Sequence, residues 1–204
     1  MQGEVVLDAY WQALREDRRL AMHAAVYAWA GELFEPGWAL DAGCEYGFGS
    51  ALLTQANPRL RVISCDIRYE TLAFARRLLA GRGIRLCEAA VNALPFLAES
   101  LSGVCLINLL HLVPDPLTCL QEMKRVLKKG GRLVVSLPLD DHLPSSWHPN
   151  AADKLSALVK RSLFRIELPE TVSSRLPVLP AARWQVGPGT SLLVGVCTKQ
   201  EAHP

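Results

Sequence analysis

The stretch Ala39-Leu-Asp-Ala-Gly-Cys-Glu-Tyr-Gly-Phe-Gly-Ser-Ala-Leu-Leu53 decides the architecture of this chain. An apolar run ends in an acid at Asp41. Gly43, Gly47 and Gly49 follow within eight residues, and Ser50-Ala-Leu-Leu then opens a helical pattern. This order predicts a buried strand, a tight loop and the N-terminus of a helix. Such a turn brings bare backbone close to a ligand at the carboxyl edge of a sheet, where α/β proteins hold their cofactors.

The pattern repeats outward from that loop. Strand one is expected over residues 38–41 and its helix from Ser50 to about Ala56, stopped by Asn57-Pro58. Strand two spans 60–65 and ends at Asp66. A helix over 69–80 closes at Gly81, and strand three covers 84–88. Strand four, 104–108, is apolar throughout, as a strand covered on both faces should be. Pro116 opens a helix that runs to Lys128 with Gly130-Gly131 at its end. Strand five covers 132–137. Alternating strands and helices mean a parallel sheet with crossover helices. Before this core, residues 7–33 read as helix. After it, 140–150 read as a polar loop, 151–160 as helix, and 163–168 and 191–198 as strands, with a long Pro- and Gly-containing connection between them.

Size and composition fit one domain. The chain has 204 residues, 50% of them hydrophobic, enough to bury a sizeable core. We divide it into an N-terminal helical cap (1–36), a cofactor-binding core (37–138) and an acceptor-side region (139–204). Net charge is +2 with both signs interleaved, so no nucleic-acid partner is expected. The cations Lys124, Arg125, Lys128 and Lys129 fall at a helix end, where they suit the dipole. No run of about 18 apolar residues appears, so no membrane partner is expected. Met1-Gln-Gly-Glu does not begin a signal peptide. Six cysteines without a CxxC pair are expected to be buried free thiols in a reducing cytoplasm. No metal site is expected, because the five histidines also lack ligand spacing.

The ligand of the glycine loop is sorted by charge. A dinucleotide sets its pyrophosphate against the loop and the helix N-terminus, and its sequence is GxGxxG. Here the third position of the turn is Glu45, and a carboxylate there would point its charge at a pyrophosphate. Asp41 adds a second negative charge. Both disfavour phosphate and suit a ligand carrying an ammonium and a sulfonium.

Five segments between residues 38 and 138 sharpen this. They are Asp41-Ala-Gly-Cys-Glu-Tyr-Gly47, Ile63-Ser-Cys-Asp66-Ile67, Leu94-Pro95-Phe96, Asn108-Leu-Leu-His-Leu-Val-Pro-Asp-Pro116, and Leu127-Lys-Lys-Gly-Gly-Arg-Leu-Val-Val-Ser-Leu-Pro138. In order and spacing they resemble the motifs of class I S-adenosylmethionine-dependent methyltransferases of the broad type 11 group. That family has D-x-G-C-G-x-G first, an acid ending strand two, L-P-F, N-x-L-H-H-x-x-D-P, and a closing L-K-P-G-G segment.

The resemblance implies a three-layer, Rossmann-like α/β fold with a mostly parallel seven-stranded sheet. It implies S-adenosylmethionine as cofactor. Gly43 and Gly47 would admit the methionine half, Asp41 would act at its amino group directly or through water, and Asp66 would take the ribose hydroxyls. Ile67 would pack on the adenine, Ala90, Val91 and Asn92 would contact its edge, and Asn108 and Leu109 would lie beneath the methionine part. Two positions depart from the family. Glu45 replaces the middle glycine, where it would reach the ammonium or narrow the pocket. Ala90 stands where the family places an Asp that binds the adenine amino group, leaving Glu88 or Asn92 as substitute acceptors.

Methyl transfer from a sulfonium needs alignment above all, and a base only when the acceptor must lose a proton. His111 is the candidate base, with His23, His142 and His148 as others. Tyr27 and Trp29 share the N-terminal helix with His23 and serve either the core or the cofactor. No N-P-P-Y or D-P-P-Y tetrad follows strand four, so a small acceptor, or one bound at an interface within a homo-oligomer, is expected. The alternative is a non-catalytic binding or regulatory subunit that keeps the fold. A nicotinamide-dependent oxidoreductase is disfavoured by Glu45.

Overall fold

The computed structural model describes residues 18–138, 143–147, 150–162, 164–167 and 192–199. Seven strands form one sheet: β1 (Gly37–Ala42), β2 (Leu60–Asp66), β3 (Arg85–Glu88), β4 (Leu101–Ile107), β5 (Leu127–Pro138), β6 (Phe164–Glu167) and β7 (Leu192–Lys199). Their order is β3-β2-β1-β4-β5-β7-β6. The first five are parallel, and β7 runs antiparallel to both β5 and β6. The chain reverses its direction of growth between β1 and β4, so the loops leaving those two strands part and open a crevice at their carboxyl ends.

The helices are α1 (Arg18–Leu33), α2 (Phe48–Ala56), α3 (Tyr69–Leu78), α4 (Pro116–Val126) and α5 (Ala151–Arg161). Strand alternation sends side chains to two cores. Leu40, Val104, Leu106, Leu133 and Val135 meet Leu120 and Met123 of α4 and Leu155 and Val159 of α5. Ala39, Cys105, Ile107 and Val134 face the other way, toward Val26, Tyr27 and Ala30 of α1 and Leu53 of α2. This is the expected three-layer arrangement.

Some expected boundaries move. Strand β4 starts at Leu101, because Leu101 pairs with Leu127, and it ends at Ile107 with Asn108 outside it. Helix α4 stops at Val126, and β5 begins at once. Gly130-Gly131 therefore does not end a helix. The ladder jumps from Leu101↔Leu127 to Gly103↔Arg132, so residues 128–131 loop out of it. The expected connection over 169–190 lies outside the described residues. All six cysteines are free, and five are buried. Among the described residues no His, Cys, Asp and Glu group could hold a metal, and no helix is long and apolar enough to cross a membrane.

Helix α1 is locked onto the start of α2 by one close approach. The Tyr27 ring lies over Gly49, where an added Cβ would stand 2.2 Å from Tyr27 Cζ. Neither side has slack, since Tyr27 is 3% exposed. Gly49→Ala is expected to cost about 1–3 kcal/mol through overpacking, read as a lower midpoint in urea or thermal unfolding. An unchanged midpoint would mean that α1 is free to shift.

Candidate functional site

Asp41 is the penultimate residue of β1, within its buried part, and has no exposed surface. The Tyr27 hydroxyl donates to its Oδ1 at 2.8 Å, and the Ser50 hydroxyl donates to Oδ2 at 2.6 Å. Ser64 of β2 in turn donates to Ser50. One carboxylate thus ties α1, β1, α2 and β2 beneath the glycine loop. Burial pushes its pKa up to about 6, and hydrogen bonds from Ser50 and Tyr27 pull the other way. Burial, together with the Asp41 charge, drives the Tyr27 hydroxyl well above its usual value.

The loop itself is held by β2. The N–H groups of Gly43 and Cys44 donate to the Cys65 carbonyl at 2.7 and 2.9 Å. Glu45 N–H donates to Asp66 Oδ2 at 2.9 Å, and Arg68 N–H donates to Oδ1 at 2.9 Å. Asp66 is 5% exposed, at the carboxyl end of β2. Gly47 precedes α2 with φ 85°, a left-handed conformation that glycine adopts without strain. An added Cβ at Gly43 would lie 2.5 Å from Leu109 Cδ2, so the β1 and β4 loops touch there only because residue 43 has no side chain.

Above this floor lies a cleft of about 960 Å³, at the upper end of the size range of small-molecule sites. Gly43, Glu45, Asp66, Ile67, Ala90, Val91, Asn92, Asn108 and Leu109 all line it. Asp41 and Gly47 do not. Asp41 lies below the wall with both oxygens engaged, and Gly47 packs toward Leu79. Ile67 is 67% exposed on one wall, with the Ala90–Asn92 segment also lining the cleft. Asn92 is a wall residue and Glu88 is not, so Asn92 is the acceptor available near the Ala90 departure. Asn108 takes a left-handed φ of 51°. Its N–H reaches the carbonyl and hydroxyl oxygens of Ser136, and the Ser136 hydroxyl donates to its Oδ1 at 2.9 Å. That fixes the amide with Nδ2 unengaged among the described residues.

Glu45 differs from expectation. Its side chain is 64% exposed and pairs with Arg68 at 3.1 Å. It meets a cation from α3's leading residue, so its charge is not aimed at the loop backbone. The buried carboxylates of the floor are Asp41 and Asp66, and the Arg68 guanidinium stands beside the second of them.

Among the candidate bases, His23 lines the cleft and meets Tyr27 edge to face, with ring centroids 5.2 Å apart. Burial lowers its pKa to about 4. His111 sits on the 3-10 turn Leu110–Leu112 and is not a wall residue. Residues three apart eclipse on such a turn, so Leu109 and Leu112 share the cleft side and His111 points elsewhere. His142 and His148 lie outside the described residues. Trp29 packs against the α1-side core and not the cleft. Ser50, Ser64 and Arg68 escaped the sequence reading. For Arg68 a signal existed, a cation two residues past Asp66 that can answer the anomalous Glu45.

Residues 40–135 match the family model described as Methyltransferase domain, so the resemblance read from the motifs holds over this segment. A ubiquinone/menaquinone biosynthesis C-methyltransferase, UbiE, from Desulfotalea psychrophila is 37% identical over 100 residues. That match covers 48% of this chain and 40% of the relative, so the chain spans well under two thirds of that protein's length. The crystal structure of a SAM-dependent methyltransferase from Aquifex aeolicus superposes with a TM-score of 0.64 at 17% identity, over 81% of this chain and 83% of that one. The [4+2]-cyclase SpnF superposes with a TM-score of 0.63 at 22% identity, over 76% of this chain and 61% of that one. The fold is that of the S-adenosylmethionine-dependent methyltransferases, and the cyclase shows that this fold also serves other chemistry.

Two outcomes follow from the buried groups. Tyr27→Phe removes a donor from a buried carboxylate and is expected to cost about 1–3 kcal/mol in urea unfolding; a loss near zero would mean Asp41 has another partner. The His23 imidazole is expected to titrate near pH 4 by NMR. Its folded pKa lies below the unfolded value, so its contribution is full above about pH 6.5 and is lost as pH falls toward 4. A midpoint near 6.5 would place the ring in water.

Proposed function

We propose that this chain transfers a methyl group from S-adenosylmethionine to a small-molecule acceptor. The observation that carries this reading is the convergence on one cleft of a side-chain-free Gly43, a ribose-type acid at Asp66 and an apolar adenine wall of Ile67, Ala90 and Val91. The residues fit the group. Gly43 lines the cleft closed against Leu109, so a Cβ there would displace a wall residue, and Asp66 keeps acceptor capacity beyond its two backbone donors. The fold and the methyltransferase-domain match over 40–135 support the same cofactor.

S-adenosylmethionine supplies an activated methyl on a sulfonium. In our reading Asp66 holds the ribose hydroxyls, Asn92 takes the adenine edge and Asn108, fixed by Ser136, offers its amide beneath the methionine part. Asp41 acts through the loop it organises, since both its oxygens are occupied. Among the described residues His23 is the imidazole on the wall, and burial keeps it neutral and makes it a weak proton acceptor, which suits an acceptor that needs little help from a base. His111 points away from the cleft and takes no part in this reading. The same reading gives the chain a cap (1–36), a core (37–138) and an acceptor-side region (139–204), and a cytoplasmic location.

A second reading, a binding subunit without catalysis, is favoured by the Glu45 and Ala90 departures. Calorimetry separates cofactor binding from its absence. S-adenosylhomocysteine is expected to bind, and NAD is not. Asp66→Ala is expected to weaken binding at least about tenfold, the loss of one or two hydrogen bonds to a charged group. No heat at millimolar ligand would overturn the cofactor assignment, and unchanged affinity in Asp66→Ala would remove the ribose contact.

A further inference from the structure

Glu45 stands where the loop would accept glycine, in a left-handed conformation with φ 46°. Such a backbone disfavours any residue with a Cβ. The side chain it carries is not used in the core, being 64% exposed. What it does is meet Arg68. Nη2 of Arg68 donates to Glu45 Oε1 at 3.1 Å, and Nε stands 3.6 Å from Asp66 Oδ1. One guanidinium therefore spans two carboxylates from different loops, and all three residues line the cleft. The Nε distance is too long for a hydrogen bond, so Arg68 sits beside the Asp66 carboxylate without using up its free acceptor sites.

We propose that Arg68 is a positioning residue for the adenosyl cofactor, and that the Glu45–Arg68 pair is a strap across the ribose end of the cleft. This rests on the cofactor reading above. Arg68 orients Asp66 from one side while the N–H groups of Glu45 and Arg68 fix it from the others. The pair then covers the ribose once it is seated. The two residues are 23 apart in sequence, so the strap links the β1 loop to the β2 loop on either side of the bound sugar. The anomalous Glu45 is retained because it supplies the second anchor.

The test is binding of S-adenosylhomocysteine by calorimetry, with dissociation rates and thermal midpoints, in wild type, Glu45→Gly, Arg68→Gln, Arg68→Lys and the Glu45→Gly/Arg68→Gln double variant. Exposed ion pairs have small effects, so each of Glu45→Gly and Arg68→Gln is expected to weaken binding about three- to tenfold, mainly through faster dissociation. The double variant is expected to be no weaker than the poorer single one, and Arg68→Lys to recover part of the loss. Glu45→Gly relieves the strained backbone, so its thermal midpoint is expected at or above wild type while its affinity falls. A purely structural pair would not separate stability from affinity in this way. Raising salt from about 0.05 to about 0.5 M is expected to weaken wild type more than Arg68→Gln. Affinities within about twofold of wild type in both single variants would overturn the strap while leaving the cofactor assignment intact. Failure of the wild-type protein to bind would overturn that assignment, and the strap with it.

Discussion

A carboxylate buried without a cation governs this structure. Asp41 has no exposed surface and, among the described residues, no basic partner, and it is held by the hydroxyls of Tyr27 and Ser50, the latter backed by Ser64. Burying such a group is costly unless its hydrogen bonds are satisfied. Satisfying them requires α1 to lie across α2, and α2 to begin where the β1 loop ends. Gly49 and Gly43 are the spaces that permit it, one under the Tyr27 ring and one against Leu109. The cleft is the volume left above this knot.

The knot also divides the cleft electrostatically. The charged wall residues, Glu45, Asp66 and Arg68, cluster together at the β2 end, where one guanidinium partly offsets two carboxylates. Leu109, Leu112 and Val113 make an apolar stretch of wall on the β4 side, with His23, Tyr27, Asn92 and Asn108 among the uncharged polar groups elsewhere on it. A ligand with a polar sugar at one end and a sulfonium toward the other matches that division. An apolar setting strengthens any contact with developing charge, and a sulfonium loses its charge on transfer, so an environment that does not solvate the cation favours the reaction.

Much of this was legible because it is local. Asp66 at a strand end, glycines at 43 and 47, and Asn108 after an apolar strand are short patterns, and the sheet places them at one edge. What the sequence hid lies in tertiary pairing or in phase. Tyr27 reads as serving either the core or the cofactor, and only the fold brings its hydroxyl to a residue 14 positions away. Glu45 reads as a charge aimed at the ligand until Arg68 is seen beside it. His111 reads as a pocket residue until the 3-10 turn sets its phase. Gly130-Gly131 reads as a helix stop because that pair usually is one, but the backbone instead leaves the ladder and rejoins it.

In this reading two buried acids and a Gly43 closed against Leu109 make a seat for a sulfonium nucleoside in preference to a diphosphate. A crystal structure of the protein grown with S-adenosylhomocysteine addresses it most directly. The adenine is expected beside Ile67 and the Ala90–Asn92 segment, with both ribose hydroxyls on Asp66. Density for the nucleoside anywhere else, or a cleft filled by the chain's own side chains, would contradict it.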